Sequence, residues 1–170
     1  MFNIRKRNAM AIVILVILGH CPPLAVALPV ANAPVVITDP LDKYRGAVEL
    51  SDTDLVDLLS VIGFEGQALK VAYAVAKKES NGRPLAYNGN KGTGDHSYGV
   101  FQINMIGSLG EARKEKFDLT TNKDLFDPVR NAEIAFYMTN GGEDWSSWKI
   151  HPGQTNGARY ESFLKQFPKN

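Results

Sequence analysis

Apolar and polar positions change their rhythm several times along the chain, and each change marks an element. From Ser51, Leu55, Leu58, Leu59 and Ile62 recur at helical spacing, with Ser51, Asp52 and Asp54 in front as cap and dipole partners. Gly63 closes that helix. A second helix is predicted from about Glu65 to Glu79. Its interior, ALKVAYAVA, is apolar nearly all round, the pattern of a helix buried on every side. From Ser80 to Ser97 the composition turns to Asn, Gly, Lys and Asp, which predicts loops and a small hairpin. Asp127-Pro128 starts another helix, with an acidic N-cap before a first-turn proline; it should run to about Thr139 and stop before Gly141-Gly142. Tyr160, Phe163, Leu164 and Phe167 form the stripe of a last helix, closed by Pro168. The expected architecture is mainly α, with a small loop or β insertion.

The first 50 residues follow other rules. Arg5, Lys6 and Arg7 precede an unbroken apolar run from Ala9 to Leu18, and Ala25-Val26-Ala27 offers a small-residue cleavage site. This is the pattern of a secretory signal peptide over residues 1–27. The run falls short of the roughly 20 apolar residues of a confident span, and an uncleaved anchor in transient contact with the membrane is the alternative. Leu18-Gly19-His20-Cys21 is superficially like a lipoprotein site, but His20 fits it badly. Residues 28–50, rich in proline at the start and without helical period, read as an extended spacer, and the folded domain is expected over 51–170.

Composition narrows the function classes. The 170 residues hold 19 basic and 18 acidic side chains, net +1, so the basic excess of a nucleic-acid-binding protein is missing. Cleavage after Ala27 removes three basic residues and no acid, leaving a mildly acidic chain. Cys21 is the only cysteine and leaves with the leader, so the exported domain is held together by its core alone. Three scattered histidines, His20, His96 and His151, make no convincing metal constellation, and neither metal nor cofactor is expected.

Glu79 is the most informative position. It sits at the carboxyl end of the most apolar helix, where burial and the negative helix end both disfavour a charged carboxylate. That is the condition of an acid that must donate a proton near neutral pH. Lys77 and Lys78 oppose this only if their ammonium groups come close, and side chains about 100° apart on a helix need not meet. A solvated glutamate at a helix end is the plain alternative.

Four short motifs shift the balance: Glu79-Ser80; Ser97-Tyr98-Gly99-Val100-Phe101-Gln102-Ile103-Asn104; Leu125-Phe126-Asp127-Pro128 with Asn131; and Gly141-Gly142-Glu143-Asp144-Trp145-Ser146-Ser147-Trp148. In this order they resemble the soluble-lytic-transglycosylase branch of the lysozyme-like superfamily, with the nearest likeness to phage-tail versions. The resemblance covers roughly Leu69 to Lys149. It implies a lysozyme-like fold with a sugar-binding cleft, and peptidoglycan glycan strands as substrate. It implies Glu79 as the catalytic acid and base, with Ser80 hydrogen-bonding near it. Gly99 to Gln102 would line the cleft, Gln102 offering its amide to an N-acetyl group or to the catalytic carboxyl, and Tyr98 and Phe101 offering apolar surface. Asn131 and Tyr137 match a helix that closes the cleft behind the glutamate. The sequence departs from the pattern at Val100, where leucine is usual, and at Phe136-Tyr137, where either ring fits the tyrosine position. Gln102 and Asn104 have a second reading as groups that satisfy the backbone of a turn, and Trp145 and Trp148 read as wall packing.

Cleaving a β-1,4 glycosidic bond needs a proton on the leaving oxygen and stabilisation of an oxocarbenium-like transition state. Asp95, the only acid between Glu79 and Gly99, is the candidate second carboxylate, or else a loop cap. The resemblance implies a transglycosylase that needs no second acid and forms a 1,6-anhydro product. A hydrolytic lysozyme is the alternative. A wall-binding component of a phage particle or secretion machine is the alternative of another class.

Overall fold

In a computed structural model of the chain, residues 38–151 and 153–168 are described. The leader and the first part of the expected spacer lie outside them. The elements run α1 (Asp52–Ile62), α2 (Gly66–Ser80), β1 (Tyr87–Asn88), β2 (Ser97–Tyr98), β3 (Ile103–Asn104), α3 (Gly107–Phe117), α4 (Pro128–Met138) and α5 (Ala158–Lys165). The mainly-α expectation with a small β insertion holds.

Local chemistry explains the helix ends. Ser51 Oγ accepts from the Asp54 amide at 3.1 Å, and the Asp54 carboxylate accepts from the Ser51 amide at 3.2 Å, closing a capping box on α1. Asp127 Oδ1 accepts from the amides of Val129 (2.8 Å) and Arg130 (3.2 Å), and Pro128 opens α4. At the end of α2 the chain turns left-handed at Asn81 (φ 60°), and the Gly82 amide reaches back to the Ala76 carbonyl. That cap stops the helix one residue after Glu79.

α2 is the central element. Ala72, Tyr73, Ala74, Val75 and Ala76 are all buried, so every side of the helix is covered over that stretch. α1 brings Leu55, Leu58 and Leu59 into the core, and just past the end of α5 Phe167 stands edge-on to Tyr73 at 5.5 Å. Another part of the core is aromatic: Phe64, just before α2, and Phe101, Trp145 and Trp148 pack together at centroid distances of 5.5–6.5 Å. Both tryptophans are buried, and their indole N–H groups donate to Gly142 and Phe101 carbonyls.

The three short strands form an antiparallel sheet in the order β1-β2-β3, with Tyr87 opposite Tyr98 and Ser97 opposite Asn104. α3 has no counterpart in the sequence reading. Gly110 is its one buried residue, and its Cα lies so close to the Met105 backbone that a Cβ would stand 2.2 Å from that carbonyl oxygen. Residues 38–50 differ from an extended spacer: a 3-10 turn at Asp42–Tyr44 buries the Tyr44 ring, and its hydroxyl donates to Asp57 on α1 at 2.5 Å.

Candidate active site

The end of α2, the sheet, the middle of α3, and the end of α4 with the segment after it line an open cavity of about 440 Å³. Its wall is polar, with Asn88, Asp95, Ser97, Gln102 and Asn104 from the insertion, Lys78 and Glu79 from α2, Arg113 from α3, and Ser147 and Lys149 after α4. Ile103, Met138 and Trp148 add the apolar surface. Cavities of this size accommodate small ligands, and a wall this polar suits a hydroxyl-rich one better than an apolar one.

Glu79 is the penultimate residue of α2 and its side chain is 24% exposed. Contrary to the expectation that adjacent side chains diverge, Lys78 reaches it: Nζ stands 2.9 Å from Glu79 Oε1. The reason is tertiary. The same ammonium donates to the Trp148 carbonyl at 3.3 Å, which bends the long lysine stem back towards the cavity. Lys77 leaves in another direction and pairs with Asp52 on α1 at 2.7 Å.

Asp95 lines the same cavity, but both its oxygens have partners in the hairpin. Oδ1 accepts from Ser97 Oγ at 2.6 Å and Oδ2 from Asn88 Nδ2 at 2.9 Å. Gln102 also lines the cavity, in a left-handed conformation (φ 48°). Its two amide hydrogens go to the Ala86 and Gly99 carbonyls, at 3.1 and 3.0 Å, leaving the amide oxygen as the group it can offer inward.

The remaining candidates are not among the lining residues. Ser80 is buried, and its hydroxyl donates to the Val100 carbonyl at 2.7 Å, fastening the end of α2 to the turn after β2. Gly99 has φ 76°, and a Cβ there would stand 2.2 Å from the Leu125 carbonyl oxygen and 2.3 Å from Asn131 Nδ2. Phe101 is fully buried in the aromatic core. Tyr98 is buried between Tyr87 and Phe126, its hydroxyl 2.8 Å from His96 Nε2. Asn131 is fully buried, and its carboxamide joins three strands of backbone. Of the aromatic pair on α4, Phe136 turns into the core against Phe64 (4.9 Å), whereas Tyr137 is 45% exposed and packs on Phe117 with Lys116 over its ring. It is their neighbour Met138 that reaches the cavity wall.

Three cavity cations, Lys78, Arg113 and Lys149, escaped the sequence reading as site residues. Lys78 adjoins Glu79 in sequence, and that adjacency was the available signal. Arg113 and Lys149 carry none, because neither lies within one of the four motifs.

The family described as a lysozyme-like domain matches residues 57–150, a span that begins in α1 and takes in every lining residue. No curated protein and no solved structure matches the chain.

Proposed function

The chain belongs to the lysozyme-like, soluble-lytic-transglycosylase family, whose domain acts as a glycosidase on peptidoglycan, and from that premise we propose that it is a lytic transglycosylase with Glu79 as its single acid and base. The observation that carries the reading is the pair of carboxylates in the cavity. Glu79 enters from the end of a buried helix, while Asp95 spends both oxygens on the hairpin. A two-carboxylate hydrolase needs its second acid free to attack the sugar or to activate water.

In the proposed reaction Glu79 takes up its proton as the Lys78 ammonium, which meets its carboxylate at 2.9 Å, withdraws, and the carboxyl then gives that proton to the oxygen linking N-acetylmuramic acid to N-acetylglucosamine. The C1–O bond breaks as the leaving sugar takes that proton. The N-acetyl carbonyl assists at C1, in place of a second acid. The C6 hydroxyl of the same muramic residue then bonds to C1, and its proton returns to the Glu79 carboxylate. Atoms balance without water, and the product ends in 1,6-anhydro-muramic acid. The Gln102 amide oxygen is suited to accept from the N-acetyl N–H.

Zymography on purified walls tests the role of Glu79. Glu79→Gln keeps the shape and removes the titratable proton, so the folded variant should clear walls at least roughly 100-fold more slowly. A folded variant that clears at near wild-type rate removes Glu79 from the mechanism, whereas wild-type protein that binds walls without clearing them favours a wall-binding role.

We also propose that the protein is exported to the cell envelope. The basic start, the short apolar run and Ala25-Val26-Ala27 support this. Among the described residues no helix is long and apolar enough to cross a membrane. The mature protein should begin near Leu28 by N-terminal sequencing; intact Met1 in a carbonate-resistant membrane fraction would establish an anchor instead.

A further inference from the structure

Arg113 is anomalous for a half-buried guanidinium. It lines the cavity from α3, yet among the described residues no carboxylate pairs with it. Among the described residues its one hydrogen bond runs from Nη1 to the Asn104 carbonyl. A guanidinium has five N–H donors in a planar fork, so most of them are left for a partner inside the cavity. Burial pushes the Arg113 guanidinium below its usual range, with no acid opposing that shift. Charges are seldom taken out of water unless something pairs with them.

Lys149 adds a second cation to the same wall. Its backbone is left-handed (φ 57°), a conformation that suits glycine or asparagine better than lysine. The Glu79 carboxylate is engaged by Lys78, so it does not serve as the counter-charge for Arg113. The wall therefore holds more cationic capacity than its own acids use.

We propose that Arg113, assisted by Lys149, binds a carboxylate on the muramic-acid side arm of the substrate, so that the cavity reads an anionic substituent as well as the sugar chain. This rests on the glycosidase reading above. The planar fork accepts a carboxylate in bidentate fashion. A glycan of N-acetylglucosamine alone carries no such group. Muramic acid carries one on its lactyl ether, either as the free acid or extended by a peptide with carboxylates of its own.

The test compares wild-type protein, Arg113→Gln and Arg113→Lys on native walls and on walls whose carboxyls have been converted to methylamides. Wild type should show KM raised roughly tenfold on the amidated walls with kcat little changed, the scale of one charge-assisted contact. Arg113→Gln should show that higher KM already on native walls and no further rise on amidated ones. Arg113→Lys keeps the charge without the fork and should fall between; it carries the test if the glutamine variant does not fold. Amidase-stripped strands separate the sources. Where a peptide extends the lactyl carboxyl, that group is already an amide, so a KM rise on amidating native walls assigns the peptide, and a rise found only on amidating amidase-stripped strands assigns the lactyl carboxylate. Equal KM for wild type in both comparisons, or an Arg113→Gln variant that still discriminates like wild type, overturns the proposal. Failure of wild type to cleave either wall overturns the glycosidase reading beneath it.

Discussion

Three hydrogen bonds converge on the Asn131 carboxamide. Its oxygen accepts from the Phe101 amide at 2.8 Å, and its nitrogen donates to the Tyr98 carbonyl at 3.0 Å and the Leu125 carbonyl at 2.9 Å. No water reaches this side chain to replace them. It welds α4 to the turn that carries Gln102, and Gly99 must lack a Cβ for the weld to close. Asn131→Ala leaves a buried amide and two carbonyls without partners, so it should destabilise the domain by about 3 kcal/mol. Thermal unfolding should report a midpoint about 10 °C lower. A shift of a degree or two would mean that the turn holds without it. The same motif residues were legible in the sequence as a set. Their division of labour was not: Gln102 reaches the cavity, whereas Ser80, Tyr98, Gly99, Phe101 and Asn131 support it from behind. The deciding facts, such as the Ser80 hydroxyl meeting Val100, are contacts between separate segments.

At the scale of elements, the legible helices were those with local signals. The Ser51–Asp54 box, the Asp127-Pro128 start and the apolar interior of α2 each depend on neighbours within a turn or on periodicity. α3 escaped because GSLGEARKEKF has no apolar stripe; it is held through Gly110 against Met105 and through Arg113 to Asn104. The hairpin was foreseen as a polar insertion, but its pin was not. Asp95 bridges Asn88 at the end of β1 and Ser97 at the start of β2. If that is its main work, Asp95→Asn should keep more than roughly a tenth of the wall-clearing rate, a loss under about 1.4 kcal/mol of transition-state stabilisation. Initial clearing rates decide this. A collapse of the rate with the fold intact by circular dichroism would make Asp95 the second catalytic carboxylate.

For the whole molecule, the arrangement assigns separate tasks to its parts. α2 is buried through its middle, Ala72 to Ala76, and ends, through the Asn81–Gly82 cap, with Glu79 at the cavity. The sheet and α3 face it with amides, a pinned acid and an uncompensated arginine, and the segment after α4 brings the Trp148 carbonyl that holds Lys78 beside the glutamate. In the proposed mechanism Glu79 gives a proton and takes one back, while Asp95 is tied into the scaffold. The chemical consequence lies in the product. Mass spectrometry of muropeptides from walls digested by the full-length protein reads it directly, because an anhydro end is lighter than a reducing end by one water. A single-acid transglycosylase predicts chains ending in 1,6-anhydro-muramic acid. Muropeptides with mainly reducing ends would contradict that account and make the enzyme a hydrolytic lysozyme.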